Sequence, residues 1–397
     1  MNRLTAFNPS FWAKTMQGVF HRENVAIALA NTELRDVLVS GTRVFKPYRS
    51  PLVDQAYTRN TDITAFNDLT ATEEFLDVDT CRIVPFYLDD LDAIENKWDT
   101  ATLFAEDAQR VLNNRLDQRV LSYYSDSRSF ISAGDLGGSG TGPATINTAN
   151  IANVFAVASR MLQRGDVPSN EQVAVIGPRM LEILRVSLAG RETGFGDTVG
   201  DNGVVANRFG FKIVLSNNIP FTATLTESGQ PSGGEFIDID GVRFTFRAIG
   251  AATIAGDVSI GATAAATYAN LVHAINNTGT AGASTYIAVS IPNRRRLIKG
   301  NIVASYAANV LTLAGHGDVA VVEMATNLVV TSNMQFPLFM KKGAIDLVVQ
   351  KAPNVEFRTA ERRLGRYVYA WTKYGGRVFD QQRDAMVHLR LNSAAWV

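Results

Sequence analysis

The chain has 397 residues, 46% of them hydrophobic, with Lys plus Arg equal to Asp plus Glu at 38 each. That length supports two or three domains with their own cores. Charged residues make up only 19%, a thin and neutral coat that favours association with other protein surfaces and gives no general electrostatic attraction to nucleic acid.

Cys81 stands alone, which excludes a disulfide framework and a thiolate metal site and fits a reducing, intracellular origin. No run of about 18 apolar residues offers a membrane span, and the opening MNRLTAFNPSFWAK lacks the apolar core of a signal peptide.

Residues 1–40 read as an arm. Phe7, Phe11 and Trp12 are aromatic anchors, and a short helical stretch is expected between Val19 and Val39, ending before Gly41. Residues 41–90 alternate in pieces (Val44 and Tyr48, Ile63 and Phe66, Phe75, Val78, Cys81 and Ile83), punctuated by Pro47, Pro51 and Pro85. The expectation is a long twisted β-hairpin. An isolated hairpin is marginal in water, so this one is expected to lie on another subunit.

One long helix is expected from Trp98 to Ser125. Asp99 suits its N-cap, and Trp98 and Leu103 stand at the spacing of a hydrophobic staple. Phe104, Ala105, Ala108, Val111, Leu112, Leu116, Val120, Tyr123 and Tyr124 recur at three and four, which makes one apolar face. At 1.5 Å per residue the helix spans roughly 40 Å, long enough to cross a domain. The Gly- and Ser-rich stretch 132–148 is expected to be a flexible linker. Its run Gly137–Gly142 lacks the ending of a phosphate-binding loop and a strand before it.

Residues 150–220 carry a compact α/β pattern: a helix from Ile151 to Leu162, a strand QVAVI at 172–176, a helix opened by Gly177 and Pro178, a Gly-rich mobile loop at 190–203 and a strand at 210–216. Composition then turns Ala-, Gly- and Thr-rich. Strands are expected at 236–240, 242–246, 286–290, 309–313 and 319–324, with one helix at 263–276. Together these form a self-contained α+β module inserted at a surface tip. Strands return at 344–349, 366–371 and 385–391, with a hairpin-like pair around Gly375 and Gly376.

No catalytic constellation stands out. His21, His273, His316 and His388 are scattered, without the spacing of a metal site, and no serine sits in a nucleophile elbow. Glu73–Glu74 and Asp89–Asp90 read as solvated edge charges. Arg294–Arg296 read as a basic turn too small for a nucleic-acid patch. Glu361, Arg362, Arg363 and Arg366 form a denser cluster suited to charge pairing with a neighbour. Neither an enzyme nor a cofactor is expected.

Four segments in this order resemble one family: the aromatic arm, the long hairpin before a long helix, the α/β unit with QVAVIGPRML (172–181) and NRFGFKIVLSNNIP (207–220), and the terminal RLGRYVYAWTKYGGRV (363–378). The chain resembles the major capsid proteins of tailed bacteriophages, which share the Hong Kong 97-type fold, an α+β architecture. The resemblance covers all but about 221–333. It implies an N-terminal arm (1–40), an extended hairpin loop (41–90), a peripheral domain with a spine helix (91–149), an axial domain (150–220) that returns at 334–352, an inserted domain (221–333) and a peripheral sheet (353–397).

It also implies a homo-oligomer of hexamers and pentamers in an icosahedral virion shell, assembled in the host cytoplasm around a double-stranded DNA genome that is touched only non-specifically. Portal protein and a possible decoration protein are implied partners. Many relatives begin with a cleaved scaffolding segment, and no room for one exists before Phe7, so a separate scaffolding protein is expected. Inter-subunit contacts are expected at Phe7, Phe11, Trp12, Lys46, Tyr48, Glu361, Arg362, Arg363 and Arg366. Some relatives cross-link covalently through a hairpin lysine such as Lys46, but no partner Asn is marked here. Two other readings are an encapsulin-like cellular compartment and a surface-binding protein that uses 221–333.

Overall fold

The computed structural model describes residues 22–35, 38, 41–49, 52–63, 66–67, 71–90, 100–189, 207–361 and 364–393. Phe7, Phe11, Trp12, Arg362 and Arg363, the proposed cap at Asp99 and the loop at 190–203 lie outside them. Five α-helices are found among the described residues: α1 (Thr100–Ser122), α2 (Ile151–Arg164), α3 (Pro178–Ala189), α4 (Ala264–Asn276) and α5 (Ile291–Lys299).

The centre is a five-stranded mixed sheet in the order Ser129–Ile131, Met386–Leu389, Leu338–Lys341, Gln172–Ile176, Lys212–Leu215. QVAVI is buried at every position, as a strand covered on both faces must be. Its alternation assigns the two cores. Ala174 and Ile176 face α2 and α3 with Phe155, Leu184 and Phe339. Val173 and Val175 face Leu116, Val120 and Leu121 of α1, together with Ala26 and Leu29.

The other end of α1 lies on a second, three-stranded antiparallel sheet, ordered Asp346–Thr359, Gly365–Arg377, Thr80–Asp89. Ala108 and Leu112 pack there against Ala370, Val84 and Phe86. One helix therefore bridges two sheets, its apolar stripe running without a Gly or Pro along its length. Leu103, Phe104 and Val111 stay exposed, so the buried stripe is narrower than the expected face.

The hairpin is shorter than the sequence suggests. Arg43–Arg49 pairs antiparallel with Ala71–Asp77, whereas Thr80–Asp89 pairs with Gly365–Arg377 and belongs to the three-stranded sheet. Pro85 is tolerated because its strand is an edge. No α-helix forms among the described residues from Arg22 to Leu38. Two 3-10 turns, Ile27–Leu29 and Glu33–Arg35, flank Asn31, whose N–H donates to the Ile345 carbonyl (2.8 Å) and whose carbonyl accepts from Leu347 (2.8 Å). Backbone pairing with 345–347 keeps this stretch from coiling into one helix.

Three further expectations are corrected. Gly375 and Gly376 do not turn; they lie inside the strand Gly365–Arg377. A Cβ on Gly375 would collide with the Asp77 carbonyl oxygen, so glycine serves close approach of the hairpin's base. The stretch 132–148 is folded, with Ala144 and Ile146 buried and the Ala133 carbonyl accepting from Gly138 (2.9 Å). The expected strand at 286–290 reduces to an isolated bridge between Tyr286 and Val258.

Residues 220–335 supply all of one sheet and four strands of another, whose fifth strand, Leu391–Asn392, pairs with Met334 and Gln335 from the C-terminal part of the chain. Pro220–Glu227 pairs with both Val310–His316 and Leu328–Gln335, and Val303–Ala307 adds an edge. The second sheet runs Asp257–Ser259, Val242–Arg247, Phe236–Ile239, Val321–Met324. Phe221, Leu225, Phe244, Phe246, Tyr268, Leu271, Leu311 and Leu313 belong to one core confined to this stretch. Arg294–Arg296 sit on α5, a helix rather than a turn, with Pro292 in its first turn, where the missing N–H is harmless. Arg294 donates to the Ile275 and Asn276 carbonyls at the end of α4 (2.6 and 3.1 Å), and Arg296 donates to the Asp240 carbonyl (3.2 Å).

Candidate inter-subunit surfaces

The base of the hairpin is held by polar anchors around a small core. Val44 and Leu76 are buried with Leu38, Val78, Val348 and Phe379. Between these side chains sits Asp346, wholly buried. Its carboxylate accepts from Asn31 Nδ2 (2.6 Å) and Lys46 Nζ (2.8 Å). A buried carboxylate without such donors would be strongly destabilising. Lys46 also lies 4.7 Å from the Phe379 ring centroid. The lysine read as an inter-subunit contact is thus tied first to its own chain. Arg43 grips Asp77 at 2.6 Å, and the Glu74 carboxylate accepts from the Asp380 N–H (3.1 Å).

Beyond Arg49 the character changes. Every described residue from Leu52 to Asn67 is exposed and none lies in a helix or strand. Asn67 Nδ2 donates to the Val53 carbonyl (2.8 Å), closing the base of this tip. On it stand Leu52, Val53, Tyr57 (69% exposed), Ile63 and Phe66 (81% exposed). Phe45, 55% exposed, lies edge-on to Phe75 just below, and Tyr48 is half-buried. Isolated exposed leucines are ordinary, but a run of large apolar side chains on one projecting loop marks a protein contact.

A second surface is the face of the three-stranded sheet turned away from α1. Trp371 lies directly across from Ile83, and Tyr367 from Tyr87. Trp371 Nε1 donates to Glu356 (3.0 Å), and Arg358 reaches over Tyr369 (5.9 Å). Cys81, Ile83, Glu356, Arg358, Tyr369 and Trp371 line a shallow depression of about 340 Å³. At the end of this sheet Glu361 and Arg366 are exposed. Tyr87 Oη donates to the Leu364 carbonyl there. This aromatic ladder was visible in the alternation of 366–371, but its pairing with 80–89 was not.

The third feature joins the elements. Asp117 of α1 is buried; its carboxylate accepts from the Ala26 N–H (2.6 Å) and from Asn218 Nδ2 (2.9 Å). Burial pushes its carboxyl above the ordinary value, against those hydrogen bonds. Arg22 Nη1 donates to Asn218 Oδ1 (3.1 Å) and to the His316 carbonyl (2.9 Å), and burial lowers it to about 10. His316 Nε2 lies 3.1 Å from the Gln118 carbonyl, and burial lowers this imidazole to about 4. Sequence pattern gave no sign of this node, because its members are 22, 117, 118, 218 and 316.

Among the described residues no group of His, Cys, Asp and Glu is placed to hold a metal ion, and no helix is long and apolar enough to cross a membrane.

The architecture is that of phage capsid structures, an α+β fold of the Hong Kong 97 type. The chain aligns over 96% of its length with 97% of a structure from Mycobacterium phage Che8, at TM-score 0.59 and 15% identity. It matches the capsid structure of cyanophage P-SCSP1u (TM-score 0.57, 13% identity) over 98% of this chain and 95% of that one. It matches the mature capsid of bacteriophage PhiM1 (TM-score 0.52, 12% identity) over 97% and 92%. No protein-family model and no curated protein matches the sequence.

Proposed function

We propose that this chain is the major capsid subunit of a tailed bacteriophage, building an icosahedral shell around double-stranded DNA. The observation that carries the reading is the pairing of a capsid fold along nearly the whole chain with a tip whose large apolar side chains, among the described residues, are exposed. Such a tip gains its burial on a second copy, and repeated heterologous contacts close into rings and shells.

In this reading 1–40 is an arm, 41–90 the extended loop, 91–149 with 353–397 the peripheral domain, 150–220 with 334–352 the axial domain, and 221–333 an inserted domain facing outward. Hexamers and pentamers, a separate scaffolding protein, a portal and a possible decoration protein complete the assembly. Phe7, Phe11, Trp12, Tyr48, Glu361, Arg362, Arg363 and Arg366 contact neighbours, and Lys46 does so from its place at the hairpin base. The protein acts mechanically and not as an enzyme.

The test is electron microscopy of the purified chain, expressed alone and together with a co-expressed scaffolding protein. Closed shells or capsomers are expected. A monodisperse monomer under both conditions would overturn the reading.

A further inference from the structure

A cleft of about 280 Å³ opens where α1, the strand Thr80–Asp89 and the 220–335 module meet. Three arginines line it: Arg82 from the strand, and Arg115 and Arg119 one turn apart on α1. No Asp or Glu lines it, and among the described residues none of the three guanidiniums has a carboxylate within ion-pair distance. Arg115 donates instead to Gln118 Oε1 (3.0 Å) and, across the cleft, to the Ile298 carbonyl (3.3 Å). Arg119 lies over the Tyr123 ring (4.9 Å).

The remaining lining residues carry no negative charge of their own. Thr80 donates its hydroxyl to Asp79 (3.1 Å) and Ser122 donates to the Arg119 carbonyl (2.7 Å), while Asn301 closes the side formed by the module. Arg115 is held below its ordinary value, first by burial and then by the like charge of Arg82. The cleft therefore concentrates positive charge in a partly desolvated place and leaves it unanswered. Elsewhere the chain pairs its arginines readily, as Arg43 does with Asp77 and Arg128 with Asp384.

We infer that this cleft binds a phosphate-class oxyanion. Guanidinium forks match the geometry of phosphate oxygens, and the partial burial of Arg115 strengthens its own bond to such an anion. The volume admits a phosphate or pyrophosphate group and excludes a nucleic-acid duplex. The bound anion joins α1, the three-stranded sheet and the module, so it clamps the module to the spine helix. The inference stands whether or not the chain builds a shell.

The experiment follows thermal unfolding of the purified full-length chain in phosphate, pyrophosphate or adenosine monophosphate, each against sodium chloride of equal ionic strength. A saturable rise of several degrees is expected from phosphate and pyrophosphate. An equal rise from the ester identifies a nucleotide as a source, and its absence restricts the site to free anions. The rise should vanish in Arg82→Gln, an exposed strand position whose replacement leaves the fold intact, and in Arg115→Gln, and persist in Arg185→Gln on α3. Stabilisation that follows ionic strength alone, or that survives both cleft variants, overturns the assignment.

Discussion

At Gly375 a single hydrogen atom decides how two parts of the chain meet. Its neighbour across the gap is the backbone of Asp77 and Val78, which cannot move aside as a side chain can. Gly375→Ala should therefore pry the hairpin base from the three-stranded sheet and sharply reduce the yield of soluble protein. Normal yield and an unchanged melting midpoint would show that the strands have room. His388 is a different single-residue device. It is buried among Tyr124, Phe130 and Phe336, and burial, then Arg390, lowers it to about 4. The unfolded chain protonates near 6.5, so between these values it binds a proton that the folded chain refuses. Stability is then complete above about pH 6.5 and falls as the pH drops toward 4. His316 acts in the same direction, each histidine contributing roughly 3 kcal/mol across that window at 1.36 kcal/mol per unit. Asp117 and Asp240, raised by burial, pull the other way. Melting midpoints taken from pH 7 to 4 should fall less steeply in His388→Gln than in the parent chain. Parallel curves would mean that His388 titrates normally.

For whole elements, legibility follows whether the cause is local. The helix α1, the strand QVAVI and α3 behind its Gly-Pro were readable because periodicity, a proline and a turn lie within a few residues of what they determine. The pairing of Thr80–Asp89 with Gly365–Arg377 was not, because alternation announces a strand but not its partner. The helix α5 was missed because a run of arginines resembles a solvated turn until Arg294 is seen capping α4. The glycines at 375 and 376 signal a turn and a close approach equally well. Of the candidate surfaces, the aromatic strand was visible in the sequence, whereas the arginine cleft and the Asp117 node exist only after distant segments converge. Two element-level outcomes follow. Leu112 and Leu116 are 1% and 2% exposed on opposite halves of the spine helix's buried stripe. Leu112→Ala or Leu116→Ala should lower stability by about 2–5 kcal/mol each, measurable by denaturant unfolding, and wild-type stability in both would contradict the packing. The module at 220–335 has a core drawn entirely from its own residues, so expressed alone it should give a dispersed amide spectrum. A collapsed spectrum would mean that contacts such as Arg115 to Ile298 and Gln118 to Lys299 are needed to fold it.

Across the whole molecule, stability and the proposed assembly fall to different residues. The cores on either side of the central sheet, along α1 and inside the module are closed within one chain, while the described residues of the hairpin tip are all exposed. Replacing Leu52, Tyr57 and Phe66 by Ser should then separate the two properties. Surface positions away from packed features change stability by less than about 0.5 kcal/mol each, so the triple variant should melt where the parent chain melts. Its loss appears between molecules: an interface deprived of its central apolar anchors loses most of its affinity, and capsomers or shells should give way to free subunits in sedimentation velocity runs. The anchors at the base, Lys46 on Asp346 and Arg43 on Asp77, hold the hairpin to its own body, so the tip acts as an extension of a fixed lever. Shells that form normally from the triple variant would show that the tip is not the contact and would move attention to the aromatic face around Trp371. Unfolding of the variant would show that the tip is buried within its own chain, against the exposure of all its described residues.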